Sequence, residues 1–453
     1  MHIFSAARII PAIAGTALYI SIFPSSVTAQ NSDATKPGTS VSANANSEEP
    51  RHLLPKSITL SGQIRERWES YQGPSSFVST TANSYVASRI RLGVAYKPLS
   101  WLRFFGETQD SRVLFYKVKP SGSVSDPFDW RQGYVEVGAL EGNGVSARVG
   151  RQEIHIGSER LLTSGDFSNV TKPFNMALGT ITYGSFSTQL LAGSIILVDP
   201  AREDRSRPGE HVYGDYSTFK KLIPGASVEP YVFVKTALNV KSKDGAVGNA
   251  DIVYAGGRVI GKIRKDFDYS VEAVREAGSY ANDSMEAWGY IAGGGWTNAR
   301  LPWKLHFSTE YAFASGDSGA KDGRHESFDI LYGAQQPPTS LTGMFCWRNI
   351  EDLRVGGDFS PWKKLLFKVA YRDYWLATIK DGLYNAANGQ VVLNRKATSN
   401  HVGDGVDAQA VVAVNGKTSV GFGLGTLNPG EYLIQSKKTS EYYYPFVFLT
   451  RKL

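Results

Sequence analysis

Side chains along this chain change character with a period of two. In Ile58-Thr59-Leu60-Ser61-Gly62-Gln63-Ile64-Arg65 the apolar residues take the even positions and the polar ones the odd. From Ser88 to Tyr96, Ile90, Leu92, Val94 and Tyr96 share one face, while Arg89 and Arg91 share the other. Such a period puts successive side chains on opposite faces of a sheet, so these segments read as strands. No apolar run approaches the roughly 20 residues that a spanning helix needs. The longest, Leu190 to Val198, is interrupted by Gly193 and Ser194 and stops at Asp199-Pro200.

The connections alternate too, short then long. Short turns are expected at Lys97 to Ser100, Glu141 to Gly144, Gly184-Ser185, Pro224-Gly225, Lys265 to Asp268, Arg300 to Trp303, Ser360 to Lys364 and Asn415 to Lys417. Longer polar segments include Asp110 to Pro127, Gly157 to Phe174, Asp199 to His211, Ser315 to Arg348, Thr378 to Gly403 and Asn428 to Ser440. Outer-membrane barrels have short periplasmic turns, long outer loops and an even number of strands. About eight short turns and about nine long connections predict about 18 strands. The expected fold is therefore all-β, a transmembrane antiparallel up-and-down β-barrel spanning residues 57–453. A propeller would repeat every roughly 40–50 residues, and no such repeat occurs. Tandem sandwiches would not need the regular short–long alternation.

Composition agrees. The 23 Tyr, 22 Phe and 9 Trp suit membrane interfaces, and the 46 Gly suit turns. Trp101, Trp303, Trp362 and Tyr442-Tyr443-Tyr444 stand beside turns, as girdle residues do. A single cysteine, Cys346, excludes an intramolecular disulfide. Residues 1–29 read as a signal peptide: Arg8, an apolar stretch from Ile9 to Phe23, and small residues at Val27-Thr28-Ala29. Residues 30–56 are rich in Ser, Asn, Thr and Ala and read as a disordered periplasmic leader, open to periplasmic secretion partners. The expected location is the bacterial outer membrane, in contact with its lipid.

Arginine carries the strongest functional signal. Arg65, Arg67, Arg89, Arg91, Arg103, Arg148, Arg151, Arg258, Arg275, Arg354 and Arg372 fall on expected strands. On a lipid-facing midplane position each would cost roughly 2–4 kcal/mol, so those at membrane depth are expected to face the lumen. Glu66, Glu107, Glu136, Glu153, Glu272 and Asp358 accompany them. Two readings stay open. The charges pair across the lumen and merely hold it together, or a cationic excess forms a constriction for anions. A guanidinium grips a carboxylate in a two-pronged fork, which suits an acidic solute.

Signals for catalysis are weak. The seven His lie singly, with no pair at metal-ligand spacing, and no Gly-x-Ser-x-Gly elbow occurs. Gly421-Phe422-Gly423-Leu424-Gly425 lacks the helix and lysine of a phosphate loop. Asp317 with Asp322, and Asp404 with Asp407, offer calcium ligands, but loop acids are ordinarily just solvated. No enzyme activity, cofactor, metal or nucleic-acid partner is expected.

Five blocks in order resemble the alginate export outer-membrane porins, from about Ser57 to the C-terminus. They are Val149-Gly150-Arg151-Gln152-Glu153-Ile154 with Gly157, Arg160-Leu161-Leu162, Asn169 and Phe174; Ala314 to Asp317 with Phe328 to Tyr332; Trp347 to Leu353 with Pro361, Trp375 to Ala377 and Asp381 to Tyr384; Val402 to Asp407; and Gly421 to Gly423 with Pro429 to Tyr432. The resemblance implies an 18-stranded monomeric barrel whose basic lumen passes an anionic polyuronate outward. It marks Arg151 as a lumen residue and Arg160, Asn169 and Lys172 as a motif loop. Arg65, Arg89, Arg91 and Arg354 follow from the alternation, and Arg103 and Glu153 complete the expected solute path. Phe167, Lys172, Asn175 and Gly405 depart from the family pattern, and the chain ends in Leu453 where barrels usually close on Phe or Tyr. The expected function is conduction of an anionic poly- or oligosaccharide, with a porin for sugars, organic acids or general diffusion as the alternative. Ser315 to Arg348 is long enough to fold inward as a gate.

Overall fold

The computed structural model describes residues 55–71, 83–117, 122–298, 300, 301, 303–319 and 321–453. The expected signal peptide and the leader up to residue 54 lie outside them. Eighteen antiparallel strands form one closed wall. They are β1 (Ile58–Tyr71), β2 (Asn83–Leu99), β3 (Leu102–Leu114), β4 (Asp126–Gly138), β5 (Gly144–Gln152), β6 (Phe174–Tyr183), β7 (Phe186–Leu197), β8 (Glu210–Ile223) and β9 (Ala226–Lys241). Then follow β10 (Val247–Ile263), β11 (Phe267–Tyr280), β12 (Asp283–Asn298), β13 (Leu305–Ala314), β14 (Ile350–Trp362), β15 (Leu365–Trp375), β16 (His401–Asn415), β17 (Thr418–Pro429) and β18 (Tyr442–Lys452). Each strand pairs with its chain neighbours. β1 closes the ring against β18, in a register from Gln63 opposite Lys452 to Glu69 opposite Phe446. Closure leaves no open edge in lipid, where an unpaired backbone group is costly. The ending Leu453 does not prevent it, because the Leu453 amide donates to the Gly62 carbonyl at 3.0 Å.

The alternation decides which side is wet. On β1, Leu60, Ile64 and Trp68 are 59%, 37% and 40% exposed and face lipid, while Arg65, Arg67 and Glu69 are buried inside. Trp101, Trp303 and Trp362 lie exposed at the short-turn end and form a girdle there. The tyrosine run is a partial exception. Tyr443 points outward, but Tyr442 and Tyr444 are buried on the lumen side, where Tyr444 donates to Glu69 at 2.5 Å. Three adjacent residues of a strand cannot share a face.

The apolar core sits inside the barrel. Leu162, Phe174, Phe328, Met344, Phe345 and Trp347 are buried there, because the long connections 153–173, 315–349 and 376–400 fold into the outer half of the lumen. At the short-turn end a clasp spans four strands. His306 Nδ1 on β13 lies 3.1 Å from Asp358 on β14, and its Nε2 lies 3.2 Å from Asp268 on β11. The imidazole reaches across β12 at Gly295, where a Cβ would occupy the ring's place. Gly295→Ala is therefore expected to destabilise the barrel by about 1–3 kcal/mol, as overpacking does. A lowered melting temperature of the compact, heat-modifiable gel band would register it; an unchanged one would refute the crossing.

Candidate functional site

Connection 153–173 enters the lumen and lies against β1 to β4, held by arginine. Arg65 donates to the carbonyls of Asp166 and Ser168, both at 2.7 Å. Arg67 donates to the Phe167 carbonyl at 2.7 Å and pairs with Glu69 at 2.7 Å. Arg89 pairs with the Asp166 carboxylate at 2.8 Å and bonds Gln63. Arg91 reaches Gln109, Thr171 and Glu153, the last at 3.2 Å. Phe167 wedges between the Arg67 guanidinium, 4.4 Å from its ring, and Phe446, in an edge contact at 5.6 Å. Asn169 donates to the carbonyls of Ser88, Arg112 and Val124 and is 2% exposed. Lys172 stays exposed, its amide bonded to the Ser164 carbonyl.

A second connection, 315–349, meets the first in mid-lumen. Tyr332 and Leu162 form a parallel bridge, the Ala334 amide donates to the Glu159 carbonyl at 2.9 Å, and Arg160 pairs with Glu310 on β13 at 2.5 Å. The wall holds this segment as it holds the first. Arg372 donates to the Pro338 carbonyl at 3.1 Å, Asp407 accepts from the Leu341 amide at 3.0 Å, and Lys235 pairs with Asp329 at 3.0 Å. The inward fold expected for this segment is present, and it shares the lumen with 153–173, which the sequence reading did not send inside.

Arg65, Arg89, Arg91, Arg103 and Arg354 sit on inward positions, and Glu153 lies among them. Arg151 does not. It shares its parity with Val145 and Val149, which are 63% and 58% exposed, and its partners are Asn175 and the carbonyls of Trp130 and Asp204. Its expected lumen position is corrected by the period of two: Arg148 faces inward, so a residue three further on faces out. Arg275 is also outward, 4.5 Å over the Trp288 ring near the outer rim. Glu66 is outward as well, accepting from Ser88 at 2.7 Å. The same rule separates the calcium candidates Asp404 and Asp407, which lie on opposite faces. Asp317 is engaged by Lys243 at 3.2 Å. The oxygens of Asp126, Asp129 and Asp204 lie within 4.8 Å of one another, but the Trp130 and Asp204 amides bond Asp129, the Asp199 amide bonds Asp204, and Arg151 lies 3.9 Å from Asp129. They form a hydrogen-bonded knot rather than a ligand set.

The open part of the lumen lies towards the short-turn end. There Arg103, Glu136 and Arg148 stand opposite one another on β3, β4 and β5. Both guanidiniums bond the one carboxylate, with Arg148 at 3.2 Å. Their side chains are 31% and 25% exposed against 9% for Glu136. Arg148 also lies 4.7 Å over the Tyr134 ring, which packs on Phe105 at 5.1 Å. The result is a cationic patch with an aromatic floor and one positive charge in excess.

Two groups in the inward connection give it a pH response. Burial raises the Asp166 carboxyl, but the charges of Arg89, Arg91 and Arg65 outweigh it and hold the group below the usual carboxylate range. Burial lowers His155, yet its hydrogen bond and charge contact with Glu159 raise it above the ordinary imidazole value of about 6.5. A raised pKa stabilises below the unfolded value, and the contribution is lost as pH rises through the folded one. Amide exchange of residues 155–163, corrected for its intrinsic pH dependence, is therefore expected to quicken as pH rises above the ordinary imidazole value and through the raised one of His155. His155→Gln should flatten that rise, and a rise of the same size in the variant would exclude the pair. Phe167→Ala, which removes a buried wedge worth about 3–5 kcal/mol, should free residues 164–172 while leaving the wall intact. Limited proteolysis cutting within this segment is the check, and resistance equal to wild type would refute the wedge.

The family profile described as Alginate export matches residues 56–446. No curated protein matches the chain. Solved structures with a similar fold include Pseudomonas aeruginosa OccK11 (OpdR), at 10% identity and TM-score 0.57, covering 87% of this chain and 96% of that one. P. aeruginosa OpdO matches at 10% identity and TM-score 0.59, covering 89% and 98%. A BenF-like porin from Pseudomonas fluorescens Pf-5 matches at 9% and 0.59, covering 87% and 98%.

Proposed function

The chain belongs to the alginate export family and is an outer-membrane β-barrel, and on that premise we propose that it is a porin for acidic saccharides of modest size, from single uronates to short oligomers. One observation carries this reading: the Arg103–Glu136–Arg148 patch in the open half of the lumen, whose two partly exposed guanidiniums share a single carboxylate. The spare charge suits a carboxylate, and the Tyr134–Phe105 floor suits the face of a sugar ring. Three inward connections fill the outer half, which favours short solutes over a polymer. The porins of similar fold support a small-solute channel only as an analogy of architecture.

Single-channel recording across a salt gradient tests the reading. The wild-type barrel is expected to prefer anions, and glucuronate or its short oligomers should reduce the chloride current by occupying the path. Replacing both Arg103 and Arg148 by Gln should move the reversal potential towards cations and weaken the block at least several-fold. A wild-type current indifferent to uronates, or a double variant with unchanged selectivity, would shift the assignment to a general-diffusion porin.

A further inference from the structure

One guanidinium inside the wall has no counter-ion. Arg67 pairs with Glu69, Arg89 with Asp166, and Arg91 and Arg131 with Glu153. Among the described residues Arg65 meets no carboxylate at ion-pair distance. Its two terminal nitrogens bond the neutral carbonyls of Asp166 and Ser168, and its Nε has no partner. The side chain is nevertheless 7% exposed. Nearby Arg131, buried as deeply, also has a terminal nitrogen without a partner. The charges that act most on Arg65 are the guanidiniums of Arg89, Arg67 and Arg91 and the single carboxylate of Asp166. Arg65 is thus buried mainly among like charges, with no carboxylate at ion-pair distance, where an uncompensated charge is costly.

We propose that Arg65 is a binding site for a small carboxylate, and that the bound carboxylate displaces connection 153–173 from the wall. The carbonyls of Asp166 and Ser168 occupy the fork as neutral acceptors, in the positions that the two oxygens of a carboxylate would take. A charged bidentate acceptor binds a guanidinium roughly twice as strongly as neutral ones. It also supplies the missing negative charge. Arg89 also donates to these two carbonyls, at 3.4 and 3.3 Å, and to Gln63, so it must release the carbonyls together with Arg65 and can then share the ligand. Residues 166 and 168 cannot keep their bonds while the ligand is in place, so binding and release of the connection are coupled. The shift is limited to the difference in carboxylate affinity between the held and released states. The ligand class rests on the acidic-solute reading above, but the coupling is measured without transport.

The experiment compares amide exchange of residues 164–172 in the full-length refolded barrel, in sodium acetate and in sodium chloride at equal ionic strength. Exchange is expected to be several-fold faster in acetate. In Arg65→Gln it should be fast in both salts, with no acetate effect. Equal exchange of the wild type in the two salts overturns the proposal, as does an acetate effect that survives in Arg65→Gln. If that variant does not refold, Arg65→Lys replaces it, since it keeps the charge but loses the fork; an undiminished acetate effect there is equally fatal. Glucuronate in the same assay separates the two readings. Permeation without altered exchange rejects the displacement and leaves the porin assignment standing, and altered exchange without permeation does the reverse.

Discussion

A charge buried in the packed outer half of this barrel must find a partner there, because neither lipid nor bulk water can reach it. Backbone that folds into the lumen carries the same obligation. In this protein the two needs meet. Arg65, Arg67 and Arg372 donate to carbonyls of the inward connections, and Asp407 and Glu276 accept from their amides. The wall is not a finished tube with loops laid into it. Its inward charges and the backbone of 153–173 and 315–349 complete each other, and removing either side would strand the other.

This mutual completion divides the lumen. The outer half is a packed interior, with Leu162, Phe328 and Trp347 buried as in a soluble core. The inner half keeps exposed charge at Arg103 and Arg148 and a carboxylate–imidazole clasp at His306. A solute entering from the short-turn end therefore meets the partly exposed charges first and the packed connections second. The wall strands are locked by ladders on both sides, whereas the connections are held mainly by side-chain bonds and apolar packing. Any opening of the outer half must accordingly come from the connections, which belong to the less stable part of the structure.

The wall was legible in the sequence because one side of every strand faces hydrocarbon, so period two is enforced at nearly every position. The eight short turns fall at or within a few residues of the places where alternation breaks. The interior was less legible. Alternation shows that Arg65 and Arg89 point inward but not what they meet, since their partners lie about a hundred residues away in 153–173. A sequence rich in inward arginine looks the same whether the guanidiniums bind solute or backbone. At Arg151 motif and parity disagree: the family resemblance marks it as a lumen residue, whereas its spacing of three from the inward Arg148 turns it outward. Phe167 shows the reverse case: it reads as a departure from the family pattern, and it fills the gap between Arg67 and Phe446.

The choice of arginine over lysine at these positions follows from what the fork must span. The segment bends from Asp166 to Val170, so the carbonyls of Asp166 and Ser168 both reach one guanidinium while that of Phe167 reaches the next. One guanidinium can bridge the first two, and Arg65 does so with both distances at 2.7 Å; the third is left for Arg67 on the same face of β1. An ammonium is a point donor on a flexible stem and cannot hold two acceptors in one plane. The i, i+2 spacing of Arg65 and Arg67 thus sets two forks side by side on one face of β1, and together they hold three consecutive carbonyls of the bent segment.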